Sequence, residues 1–108
     1  RPWYKNAAVR QMMVDHGDGD KAIWATEFGA PTNGTPGDGH VDEATQSSIM
    51  VDAMQQWVQL PYAGPFFVFC FRDHDTDATK KSDWFGVVSR DFTHKKGAYF
   101  AYAQLARG

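Results

Sequence analysis

Glu27 and Asp73 are the side chains in this sequence best placed to do acid–base or nucleophilic work. Each closes an apolar run: Ile23-Trp24-Ala25-Thr26 precedes Glu27, and the stretch Phe66-Phe67-Val68-Phe69-Cys70-Phe71-Arg72 precedes Asp73. A carboxylate at the end of a buried strand is costly unless it is paired or used. Two such carboxylates opening on one side of a sheet suit chemistry in which one attacks or takes a proton and the other gives one. The plainer readings are a loop-anchoring or helix-capping role for Glu27 and a turn-capping role for Asp73.

Other chemistry is weakly supported. His16, His40, His74 and His94 have no zinc-ligand spacing; His40 and His74 fall in loops beside the two acids and are candidates for contact with a ligand. Asp73, Asp75 and Asp77 resemble the opening of a calcium loop, but Ala78 stands where that loop needs glycine and Trp84 where it needs a bidentate Glu. No metal or cofactor is expected. Cys70 is the single cysteine and lies mid-run, where an inert buried thiol is the natural state. The His16–Asp20 turn, HGDGD, has glycines but no helix after it, so it lacks the context of a phosphate cradle. Trp84 follows the second run and could stack on a ligand face or pack inward. Trp24 and Trp57 read as core.

The elements that position these residues follow from periodicity and punctuation. Residues 1–16 carry Trp3, Ala7, Ala8, Met12 and Val14 at helical spacings, with His16-Gly17 as a stop. Ile23 to Glu27 reads as a short buried strand, and the Gly- and Pro-rich stretch from Ala30 to His40 as a loop. Asp42 is a good N-cap for a long helix with an apolar stripe of Ala44, Met50, Met54, Trp57 and Val58, ended by Pro61. Phe66 to Arg72 is apolar on both faces, the pattern of a central parallel strand. A polar loop, a short extended segment around Trp84-Phe85 and a final helix with Ala98, Tyr102 and Leu105 on one face complete the chain. The order is helix, strand, helix, strand, helix, an α/β class with parallel strands. Two parallel strands leave two apolar edges open, which points to a piece of a larger α/β fold. The opening on Arg1 rather than Met agrees with that expectation, and the residues do not identify a compartment.

Taken together, these segments resemble the last third of a clan A glycoside hydrolase, with echoes of families 5 and 39. Trp24-Ala25-Thr26-Glu27-Phe28-Gly29 is similar to the W-x-T-E-F-G context of the nucleophile at the end of the seventh strand of those (β/α)8 TIM barrels. Phe69, Phe71 and Asp73 resemble the aromatic-rich end of the eighth strand. Phe85-Gly86-Val87 and Lys96-Gly97-Ala98-Tyr99 are similar to the F-G-L turn and K-P-A-Y helix start, with Gly97 replacing Pro. The resemblance implies that residues 1–108 form the C-terminal portion of a catalytic barrel, from its sixth helix to its eighth. It implies that Glu27 is the nucleophile of a retaining glycosidase, with Asp73, Phe69, Phe71, Trp84 and His74 contacting carbohydrate. In retaining hydrolysis the two carboxyl groups stand about 5–5.5 Å apart. The family's acid/base lies in an Asn-Glu pair, which this sequence lacks; Glu43, the other Glu, opens a helix. The chain by itself would then be inactive, its partners being carbohydrate and either the rest of the barrel or copies of itself. A secreted or cell-envelope location would fit the resemblance.

Composition sets outer bounds. The 108 residues include 43% hydrophobic and 15% aromatic side chains, enough for a packed core. The net charge of −2 gives no electrostatic case for nucleic acid or an anionic membrane. The competing reading is a small non-enzymatic α/β module that pairs through its exposed sheet edge.

Overall fold

In a computed structural model, Trp3 and residues 5–108 are described; Arg1, Pro2 and Tyr4, which the sequence assigns to the first helix, lie outside the described residues. The elements are α1 (Asn6–Asp15), β1 (Ile23–Phe28), α2 (Glu43–Trp57), β2 (Ala63–Val68), a 3-10 turn (Lys81–Asp83) and α3 (Gly97–Ala106). The strands pair in parallel, Ile23 opposite Ala63, Ala25 opposite Phe66 and Phe28 opposite Val68. The described residues are thus α/β, with three α-helices and one parallel strand pair. β2 begins and ends earlier than Phe66 to Arg72. The amide N–H of Phe69 still bonds to the Phe28 carbonyl (2.8 Å), but that of Cys70 turns to Phe85 (3.0 Å). A loop strand has taken over the ladder there, so the apolar run outlasts the sheet.

α2 is the organising helix. Asp42 caps it by accepting the Thr45 amide N–H at 2.7 Å, and its buried line is Gln46, Met50, Ala53 and Trp57, a stripe at helical spacing. Ala44 and Val58, expected on that stripe, are exposed. One packing centre joins Met50, Val87, Val88 and Ala98, flanked by Val68, Tyr99 and Tyr102, and holds α2 against α3. The other is aromatic. Trp3 stands 4.8 Å from Trp57 and 5.2 Å from Phe28 between ring centroids, and Phe28 stands 5.7 Å from Phe66. The Trp57 and Trp3 indoles bond to the carbonyls of Gly64 and Ala53, both at 2.8 Å, so neither ring leaves an orphaned donor.

α1 departs from expectation: Val9, Met12 and Val14 are exposed and none of its residues is buried. Its end is as read, with Gly17 at φ 85° in the left-handed region that glycine enters without a Cβ penalty. Trp24 also departs. It is 60% exposed, on the face of the sheet away from α2, 6.2 Å from the Phe67 ring. An apolar run does not reveal which face a helix covers.

Candidate active site

Glu27 lies on β1 beside its C-terminal end, and the local geometry explains its orientation. Strict alternation from Ala25, which is buried, would put Glu27 on the helix face and Phe28 on the other. The pairing register shifts between Ala25 and Phe28, the effect of a bulge. Phe28 therefore packs on Trp3 and Phe66 beneath the sheet, while Thr26 and Glu27 are both exposed. Among the described residues Glu27 has no hydrogen-bond or ion-pair partner. Gly29 brings the chain against β2's exit so closely that a Cβ there would overlap the Phe69 carbonyl, so glycine at this position is a packing requirement.

The other predicted residues gather in the segments that follow β2, with different surroundings. Phe69 is 40% exposed and 5.5 Å from the Phe85 ring. Phe71 is 60% exposed and faces a groove of about 390 Å³ between β2 and α3, with Phe67, Cys70, Tyr99 and Tyr102. Trp84 is half-buried; its indole N–H donates to the Asp77 carbonyl at 2.7 Å and its own carbonyl accepts the Thr32 amide at 3.1 Å. His74 is exposed. Burial pushes the Cys70 thiol up, and the nearby Asp73 carboxylate adds to this, so the thiol stays protonated and inert.

Asp73 is not open to a ligand. It is 1% exposed, and its Oδ1 accepts both the Gly86 amide and the Lys96 ammonium at 2.8 Å. Lys96 is 2% exposed and also donates to the Thr32 hydroxyl at 2.9 Å and the Trp84 carbonyl at 3.4 Å. Sequence reasoning passed over Lys96, although one signal was available. A cation in the N-cap position of a helix meets the positive end of the macrodipole, so a lysine there points to a carboxylate partner. Gln46 was missed as well: its side-chain amide donates to the carbonyls of Ala30 (3.0 Å) and Gly86 (3.1 Å).

The loop after β1 is organised by Asp38. It accepts the His40 amide (2.9 Å) and the Thr35 amide (2.7 Å), and its Oδ1 lies 2.6 Å from His40 Nδ1. The His40 amide, aided by the ring and Thr35, lowers the Asp38 carboxyl from 3.8 to about 2. Lys81 donates to the Asp38 carbonyl at 2.9 Å and ties this loop to the one after β2. Glu43 is held on the surface, 2.8 Å from His94 Nε2. Among the described residues no group of three or more His, Cys, Asp or Glu side chains is placed to hold a metal ion, and no helix is long and apolar enough to cross a membrane.

No protein-family model matches the sequence, and no curated protein matches it significantly. Solved structures do match. A β-glucuronidase of Faecalibacterium prausnitzii superposes with a TM-score of 0.64 at 22% identity, over 94% of this chain and 18% of its own. GH5_18 of Streptomyces cattleya, in complex with GlcNAc, gives 0.63 at 20% identity, over 80% of this chain and 20% of its own. A β-D-glucuronidase from Dictyoglomus thermophilum gives 0.62 at 20% identity, over 98% and 21%. The chain thus spans about a fifth of the length of the structures it matches, and its fold is similar to one part of the TIM barrel of glycoside hydrolases.

Proposed function

We propose that residues 1–108 are the C-terminal portion of a retaining glycoside hydrolase barrel, from the sixth helix to the eighth, and that Glu27 is its nucleophile toward the O-glycosidic bond of a polysaccharide or glycoside. The observation that carries this reading is the placement of Glu27: beside the C-terminal end of a parallel strand, exposed, unpartnered among the described residues, and turned by a register shift away from the helix face. Functional groups in parallel α/β barrels gather at that end. The likeness to two glucuronidases and to GH5_18 with GlcNAc supports the choice of glycoside over other substrates.

In this reading Glu27 attacks the anomeric carbon and the leaving oxygen takes a proton from a carboxylic acid outside this chain. Glu43 is no candidate for that acid, being engaged with His94 at the start of α2. Phe69, Phe71, Trp84 and His74 offer stacking faces and a polar contact for sugar rings. Asp73 acts beneath them by holding Lys96.

The test is covalent trapping. A polypeptide carrying these residues in a complete barrel is incubated with a 2-deoxy-2-fluoro aryl glycoside and digested with trypsin. The sugar mass is expected on the peptide Ala22–Arg72, at Glu27. Label on another residue, or undiminished turnover in Glu27→Gln, overturns the assignment.

A further inference from the structure

The buried pair of Asp73 and Lys96 does more than fill the core. Lys96 stands at the N-cap of α3, where the chain returns from the second loop, and is nearly sealed from solvent, as is Asp73. Its ammonium reaches three different parts of the chain: Thr32 in the loop after β1, Asp73 at the exit of β2, and the Trp84 carbonyl in the loop that follows. The same three parts are joined again by two amides: that of Thr32 donates to the Trp84 carbonyl, and that of Gly86 to the Asp73 carboxylate. Two of them, the loop after β1 and the loop after β2, are joined a third time by Gln46, which reaches from α2 to Ala30 and Gly86. Gly86 has no room for a Cβ against the Asp73 amide, so the loop backbone lies directly against the exit of β2. Lysine supplies three donors from one point, and here three acceptors converge on it.

We propose that Lys96, held by Asp73, is a positioning residue that sets the register between the loop after β1 and the loop after β2, and so fixes Trp84 relative to the strand that carries Glu27. The inference rests on the proposed function only for the meaning of that register, since Trp84 and Glu27 are the groups a sugar would meet. The pairing itself is a property of this chain. Among the described residues Asp73 Oδ2 and Gln46 Oε1 are buried without a partner, so these residues offer no spare donor to replace Lys96.

The experiment is amide and indole NMR on the 108-residue chain, comparing the wild type with Lys96→Met, Asp73→Asn and the double variant. Removing both charges relieves the isolated buried charge that each single change leaves, so the double variant is expected to recover the melting temperature lost in the single ones. It is not expected to recover the register. In Lys96→Met and in the double variant the amides of Thr32 and Gly86 should exchange at least tenfold faster, and the Trp84 indole signal should move. The Trp57 indole, bonded to Gly64 away from the clamp, should stay at its wild-type position. Should Lys96→Met fail to fold, the double variant decides alone. Wild-type exchange at Thr32 and Gly86 in the double variant overturns the proposal, as does a uniform acceleration that includes the α2 amides. Neither readout depends on hydrolysis, so failure of the glycosidase reading would appear in the trapping experiment and leave this one standing.

Discussion

At Glu27 the decisive fact is what surrounds the carboxylate. An exposed, unpartnered acid has no structural task among the described residues, so its loss costs the fold little. Glu27→Gln should change stability by no more than about 0.5 kcal/mol, as for other surface changes away from packing features. In a complete barrel it should lower kcat by several orders of magnitude, because the amide cannot form the glycosyl ester. Thermal melts and steady-state assays on one preparation separate the two effects; a variant that melts early or keeps its turnover sinks the nucleophile reading. Asp91 makes the opposite case. Its carboxylate accepts the Thr93 hydroxyl at 2.7 Å, the Thr93 amide at 3.0 Å and the Ser89 hydroxyl at 2.8 Å. These bonds, led by the Thr93 side chain, lower it from 3.8 to about 2. A depressed carboxylate contributes its stabilisation above its unfolded pKa and loses it as pH falls through the folded one. The Ser89–Thr93 turn should therefore hold above about pH 4 and loosen toward pH 2. The Thr93 amide shift should titrate with a midpoint near the lower value and stop titrating in Asp91→Asn. A midpoint at the unperturbed value of 3.8 would show that these bonds do not persist in solution.

Among the elements, α2 carries the architecture and its start is the point to test. Asp42 takes one of the orphan amides of the first turn, and its carboxyl is lowered chiefly by Thr45. Asp42→Ala should cost about 1 kcal/mol and Asp42→Asn much less, since the amide oxygen can still accept. Urea titrations of both variants check this, and equal losses would mean that charge rather than the cap bond matters. The centre of the helix was legible because Met50 and Trp57 stand seven positions apart on one face. Gln46 shares that face but is polar, and hydrophobic periodicity has no way to register a buried amide that pairs with two loop carbonyls. Trp24 shows the converse limit. Its strand was identified correctly, yet a strand apolar on both faces gives no clue as to which face helices cover.

Across the whole molecule, an unsupported strand pair is the dominant feature. Trp24, Phe67 and Phe71 are exposed at 60%, 47% and 60%, and among the described residues each strand has one unpaired side. Exposed apolar surface beside an open edge drives association. The isolated chain should sediment as dimers or larger species, and should not hydrolyse an aryl glycoside, because the proposed mechanism needs a second carboxyl that it does not supply. A strictly monomeric chain with activity abolished by Glu27→Gln would place the acid/base within these residues and overturn the fragment reading. The order of elements, the parallel class and the acid at a strand end were all readable in the sequence. Each rests on local rules: side-chain period, capping, and the glycine and proline punctuation between elements. Tertiary structure alone decided the rest. The register shift that turns Glu27 from the helix face, the burial of Asp73 on Lys96 and the exposure of Trp24 all depend on residues brought together from distant parts of the chain. Thr32 and Lys96 are 64 positions apart and meet at 2.9 Å; no local pattern encodes that meeting, because it exists only once the strands, α2 and α3 have packed.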